Sequence, residues 1–290
     1  MLKYRVLTEL GTRMPAPNAI STDKLKRLIG LPTAPVILDV REQQNGRLLP
    51  ASIAWPSGDG LHPDIAEGRG IVVACEDGRA MSQGIAALLR RQGVPAEVLE
   101  GGIAAWAAEG LPLIPSNMLP LRGETGRTLW ITRARPKVDR IACPWLIRRF
   151  VDPLAEFLFV PPADVQGVAA QLSAEPFDIE GEGVRWSHRG ERCTFDAMVE
   201  GFGLGGFDAL GRLAAVVRGA DTGHPELAPE AVGLLSVSLG LSRMFDDDNA
   251  QLEAGMLVYD ALYRWSRDAT GETHNWESHQ PAASRGKARP

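Results

Sequence analysis

The run Ile71-Val72-Val73-Ala74-Cys75 stops at Glu76-Asp77-Gly78-Arg79 and gives way to the helical pattern Met81 to Arg91, closed by Gly93. A short apolar run feeding into a helix is a building unit of parallel sheets, and it recurs along this chain. Val36 to Val40, Ser52 to Trp55 and Ala96 to Leu99 read as further strands. Ser21 to Gly30 reads as a helix with a serine cap and a glycine stop. This alternation predicts an α/β domain over residues 18–114, a parallel sheet with helices on both faces.

Pro112 to Arg127 is dense in proline, glycine and polar residues, so 115–127 reads as a linker. A second pattern starts at Thr128. Thr128 to Thr132 and Ala155 to Val160 read as strands on either side of a helix from about Val138 to Phe150. Beyond Thr194 the pattern is mainly helical, with helices near 207–218, 229–242 and 248–267. Residues 128–268 therefore read as an α+β, mostly helical domain. Tyr259, Tyr263 and Trp265 form a core stripe on the last helix, and 269–290 reads as a mobile polar tail.

The 290 residues are 44% hydrophobic, enough for a full core in each domain. Cys75, Cys143 and Cys193 are odd in number and widely spaced, which excludes a disulfide framework and paired-cysteine zinc sites and favours a reducing compartment. The start MLKYRVLTEL has no signal-peptide pattern, and no run approaches the ~20 apolar residues of a membrane span, so a cytoplasmic location is expected. A net charge of -5 argues against nucleic acid as a partner, apart from a local basic cluster between Arg127 and Arg149.

A thiol is a useful nucleophile only where its thiolate is stabilised, and the start of a helix offers unpaired N–H groups. Cys75 stands at such a place, with Gly78 free to curl the backbone into an anion cradle formed by Glu76, Asp77, Gly78, Arg79, Ala80 and Met81. The bland reading, a small apolar residue packed at a strand end, fits the same position.

Leu38-Asp39-Val40-Arg41-Glu42, Leu49-Pro50-Ala51-Ser52-Ile53, the strand-Cys75-loop-helix unit and Leu99-Glu100-Gly101-Gly102-Ile103-Ala104-Ala105-Trp106 follow one another over about 95 residues. In this set and order the segment resembles a rhodanese domain. The resemblance implies that Cys75 accepts sulfane sulfur as a persulfide and passes it to a thiophilic acceptor, with no cofactor. Asp39 and Arg41 would form an ion pair that organises the cysteine loop. The loop departs from the family pattern Cys-x-x-Gly-x-Arg-Ser, since Arg79 comes one position early and Ser82 one late. Met81 occupies the position where the related phosphatases need arginine, which disfavours phosphatase chemistry. Glu76 and Asp77 add negative charge beside the thiol, so a persulfide is the expected donor in preference to thiosulfate.

In the second half, Trp130 to Phe150 interleaves six basic residues with an apolar helix face. A solvated basic face is one reading; an oxyanion pocket made by Arg133, Lys137 and Arg140 at the strand-to-helix junction is the other. His188 and Cys193 are metal-ligand types, Asp196 lies one helical turn beyond Cys193, and Asp221 and His224 could complete the same site. Against a metal, Thr194 could cap a helix with Asp196 near its dipole, leaving Cys193 structural. Asp246 to Asp248 reads as the acidic start of the last helix.

Trp130 to Phe150, Ala155 to Pro162, His188 to Asp196, Arg218 to Thr222, Gly233 to Ser242 and Gly255 to Trp265 together resemble the C-terminal domain of the chromate resistance protein ChrB family. This implies a role in chromate or oxyanion stress. Two functions follow: a sulfurtransferase coupled to a stress-response domain, or a chromate-responsive regulator in which the rhodanese fold is a non-catalytic recognition module.

Overall fold

The computed structural model describes residues 18–55, 69–123 and 126–272. In the first half, β1 (Ala19–Ile20), β2 (Val36–Asp39), β4 (Ser52–Ala54), β5 (Ile71–Ala74) and β6 (Ala96–Leu99) form one sheet in the order β1-β6-β5-β2-β4, with every pairing parallel. Helix α1 (Thr22–Leu28) connects β1 to β2, α2 (Ala80–Arg91) connects β5 to β6, and α3 (Gly102–Ala108) follows β6. Strand β5 is central. Its side chains alternate between faces: Ile71, Val73 and Cys75 pack with Ala86 and Leu89 of α2, while Val72 and Ala74 join the cluster containing Leu25, Ile103 and Trp106.

The chain runs from β2 outward to β4, then returns to place β5 on the other side of β2. Connections therefore leave β2 and β5 in opposite directions, and a crevice opens beyond their carboxyl ends. Arg41 and Cys75 follow those two ends.

A two-stranded antiparallel pair, β3 (Arg47–Leu48) with β7 (Ile114–Pro115), was not legible in the sequence because strands of two residues carry no period. The segment read as a linker is partly structured. Ser116–Met118 form a 3-10 turn, and Arg185 donates to the Asn117 carbonyl at 2.9 Å.

The second half has a small parallel sheet, β8 (Leu129–Arg133) between β9 (Glu156–Val160) and β10 (Glu175–Pro176). Around it lie α4 (Asp139–Leu146), α5 (Val165–Leu172), α6 (Thr194–Gly201), α7 (Asp208–Asp221), α8 (Ala231–Met244) and α9 (Asp248–Asp268). Helix α4 widens into a π turn over Ile147–Val151, so the helix read at 138–150 is one element of two pitches. The tail read as mobile lies outside the described residues from 273 onward. Among the described residues no helix is long and apolar enough to cross a membrane.

The two halves share apolar packing. Phe150 is fully buried among Trp145, Phe207 and Tyr263 in the same cluster as Ile20, Leu25 and Trp106. A Cβ on Gly30 would lie 2.3 Å from the Phe150 ring, so only glycine admits that contact. The Phe150 carbonyl also accepts the Ala51 N–H at 2.7 Å.

Candidate functional site

Cys75 sits one residue beyond the central strand and is buried; its thiol donates to Asp77 Oδ1 at 3.4 Å and its Sγ lies 3.1 Å from Ser82 Oγ. It adjoins a cavity of about 360 Å³ lined by Arg41, Glu42, Glu76, Asp77 and Met81 among others. Helix α2 begins at Ala80, so the N–H groups of Ala80, Met81 and Ser82 have no acceptor within their own helix. The Arg79 N–H is turned to Asp77 Oδ1 at 3.0 Å, while the exposed Arg79 guanidinium only approaches Asp77, at 4.0 Å.

The cysteine loop is held from beneath by Gly101-Gly102. Ile103 and Ala104 donate their N–H groups to the carbonyls of Cys75 and Glu76 at 3.0 and 2.9 Å. Gly102 has φ +63°, and a Cβ there would stand 2.4 Å from the Cys75 carbonyl oxygen. Gly78 has φ +68°, and a Cβ there would stand 2.5 Å from the Leu99 carbonyl oxygen and 2.8 Å from the Gly102 nitrogen. The Glu-Gly-Gly sequence and Gly78 are thus paired by contact.

Arg41 joins the two sides of the crevice. Its guanidinium grips Asp39 through Nε and Nη2, the latter at 2.8 Å, donates to the Arg47 carbonyl, and reaches Glu76 Oε2 at 3.3 Å. Burial opposes its charge, but Asp39 and Glu76 outweigh burial and hold the guanidinium above its ordinary value. The charge of Glu76 is therefore balanced by an arginine beside it.

A second constellation gathers where β8 enters α4. Val138, β-branched yet at φ +39°, is pinned by the Ser238 hydroxyl on its N–H and by the Tyr259 hydroxyl on its carbonyl. This turn delivers Asp139 as the first residue of α4 into the protein interior. His188 Nε2 lies 3.1 Å from Asp221 Oδ2, 3.4 Å from Asp178 Oδ1 and 3.6 Å from Asp139 Oδ2. Burial, then Asp221 and Asp178, push the Asp139 carboxyl well above its usual range, with His188 acting the other way. Asp221 is raised by burial and Asp178. Burial also acts on Asp178, yet hydrogen bonds and charge from His188 and Arg133 hold it low. The His188 imidazole is pushed up to about 9, first by its bond to Asp178, against burial, then by Asp139 and Asp221.

The five residues singled out as metal ligands divide. His188 and Asp221 meet. Cys193 is the cap of α6, where Asp196 Oδ2 takes its N–H at 3.2 Å and its thiol at 3.4 Å, and burial followed by Asp139 and Asp196 drives the thiol's pKa upward. Asp196 is paired with Arg218 at 2.9 Å, and exposed His224 with Glu226 at 2.9 Å. The helix cap falls on Cys193 and not on Thr194. Asp139 and Asp178 escaped the sequence reading: the first is embedded in a basic stretch, the second stands isolated before His188.

The basic residues also need correction. Arg133 and Arg140 converge on the Asp178 carboxylate, although Arg133 also lines a cavity of about 620 Å³. Arg133 Nη2 lies 3.0 Å from Asp178 Oδ2; Arg140 Nε comes to 3.3 Å without the alignment of a hydrogen bond. Lys137 is exposed. Arg148 pairs with Glu253, Arg149 with Asp260 and Arg127 with Glu156. The cluster from 127 to 149 is thus largely paired with the protein's own acids.

Residues 130–266 match the family described as ChrB, C-terminal domain, and residues 21–109 match the rhodanese-like domain. Protein ChrB of Cupriavidus metallidurans is 36% identical over 134 residues, which are 46% of this chain and 39% of that protein. The chain therefore spans well under two thirds of that curated relative's length. Among solved structures, a rhodanese-related protein from Thermoplasma volcanium is similar at 25% identity and a TM-score of 0.29, covering 34% of this chain and 98% of that one. A thiosulfate sulfurtransferase from Pseudomonas aeruginosa is similar at 25% identity and a TM-score of 0.30, covering 37% of this chain and 21% of that one. Residues 21–109 thus belong to the rhodanese-like domain family, and residues 130–266 to the ChrB C-terminal domain family.

Proposed function

We propose that the chain is a sulfurtransferase that moves sulfane sulfur through a Cys75 persulfide and is coupled, through its ChrB-type half, to chromate or oxyanion stress. The observation that carries this reading is the position of Sγ. It lies at the carboxyl end of the central strand, beside a cavity and in contact with Asp77 and Ser82, at the start of α2.

The thiol donates to Asp77, a contact that holds Sγ beside the cavity. The Cys75 thiolate attacks the outer sulfur of a persulfide donor. An S–S bond forms to Cys75 as the donor's S–S bond breaks, and the donor leaves as a thiolate that recovers a proton. An acceptor thiolate then attacks the outer sulfur and releases the Cys75 thiolate, so no external oxidant or reductant is consumed. The N–H groups of Ala80, Met81 and Ser82, which open α2 without an acceptor in their own helix, are available to the charge that passes through the persulfide. Arg41 balances Glu76, but Asp77 still places a carboxylate against the thiol, which disfavours a dianion such as thiosulfate and favours a protein or low-molecular-weight persulfide as donor.

The test is intact-mass analysis of the full chain after treatment with cysteine persulfide, alongside thiol-dependent sulfur release. One added sulfur atom on the native chain and none on Cys75→Ser supports the reading. No addition to either, or equal addition and release by both, sinks it.

A further inference from the structure

We infer that Asp139, Asp178, Asp221 and His188 hold a divalent first-row transition-metal cation, at a site distinct from the cysteine loop. The four side chains come from four places: the first residue of α4, the turn after β10, the loop before α6 and the end of α7. One donor atom each from Asp139, Asp178 and His188 falls within 4.8 Å of the others, and Asp221 Oδ2 touches the same imidazole nitrogen at 3.1 Å.

Asp139 supplies the second, independent observation. It is fully buried; Oδ2 accepts the N–H groups of Thr194 and Phe195 at 2.6 and 3.3 Å, whereas Oδ1 is buried without a hydrogen-bond partner among the described residues. An unpaired buried acceptor costs about 1–3 kcal/mol, and more when charged. The same carboxylate reaches His188 through Oδ2 at 3.6 Å, so a cation bound beside the imidazole meets a buried carboxylate that still has an acceptor to spare.

The remaining oxygens are fixed from outside, as the ligands of a metal centre are. Asp178 Oδ2 is held by Arg133, its Oδ1 takes the Thr194 hydroxyl at 3.0 Å, and Asp221 Oδ1 faces the Asp139 N–H at 3.4 Å. His188 is 42% exposed and stands between two cavities of about 620 and 840 Å³, which give a cation its entry. Three carboxylates and one imidazole form an oxygen-rich borderline donor set, suited to Mn(II), Fe(II) or Zn(II) and unsuited to Cu(I) or an iron–sulfur cluster. The Cys193 thiol, occupied as a helix cap, stays outside it.

The experiment uses the full chain stripped with a chelator and titrated separately with MnCl2 and ZnCl2, followed by calorimetry, with electron paramagnetic resonance for Mn(II). The result expected is one bound ion per chain, with affinity falling at least about tenfold in His188→Ala and in Asp221→Asn. His224→Ala, which alters an exposed residue already paired with Glu226, leaves it unchanged. Circular dichroism confirms that each variant is folded; His188 is half-exposed, so its truncation is tolerated. Absence of saturable binding of either ion, or equal binding by native chain and both ligand variants, overturns the inference and leaves His188 as the carboxylates' counter-ion. Sulfur loading of Cys75 is read separately by mass, so either result can fail without the other.

Discussion

Gly102→Ala tests the link between the Glu-Gly-Gly turn and the cysteine loop. The left-handed conformation, φ +63°, costs an alanine about 1–2 kcal/mol. The added Cβ would stand 2.4 Å from the Cys75 oxygen and 2.5 Å from the Glu76 oxygen, where real Cβ atoms stop at 3.0 Å. Both oxygens are backbone atoms tied to Ile103 and Ala104, so the loop retreats only by stretching those two hydrogen bonds, each worth about 1 kcal/mol. The sum is about 3–4 kcal/mol. Two other glycines isolate the terms. Gly93 has φ +82° but open space around its Cβ direction, so Gly93→Ala costs the conformational part alone, about 1–2 kcal/mol. Gly84 lies exposed inside α2 with nothing within 4 Å, and Gly84→Ala stabilises by about 0.5–1 kcal/mol. Urea unfolding followed by circular dichroism gives the three values, and sulfur loading of Cys75 under native conditions gives the functional effect. If Gly102→Ala falls within about 1 kcal/mol of Gly93→Ala and loads sulfur normally, the close approach does not support the loop and the reasoning fails.

Arg41→Ala leaves Asp39 buried without its partner and should cost about 3–5 kcal/mol in urea unfolding, most of it recovered by the double change Asp39→Asn with Arg41→Met; a loss under about 1 kcal/mol would show that the pair does not fix the end of β2. Phe150→Ala should cost about 3–5 kcal/mol and split thermal unfolding into two steps, because the ring packs against both halves; a single, barely shifted calorimetric transition would contradict the shared core.

Particular residues show what could be read before the fold was known. Cys75 announces itself because an apolar run, a polar loop and a helical pattern meet there, all local signals. Gly101 and Gly102 were legible as a motif, but not as the floor beneath Cys75, since the contact joins residues about 25 positions apart. The second half was legible mainly as helices. Arg133 and Arg140 read as a basic pocket because sequence neighbours are visible, whereas Asp178, which neutralises them, lies some 40 positions on.

By itself the sequence determined the longer strands and helices, the parallel α/β character of the first half and the helical weight of the second, because short-range periodicity sets these. Tertiary structure alone decided that Asp139, Asp178, His188 and Asp221 form one cluster, that Cys193 caps a helix, and that most of the arginines from 127 to 149 are paired. The reason is physical. Hydrophobic pattern is written in neighbouring residues, but the cost of burying a charge is met by whichever partner the fold brings near, and that partner carries no local mark in the chain.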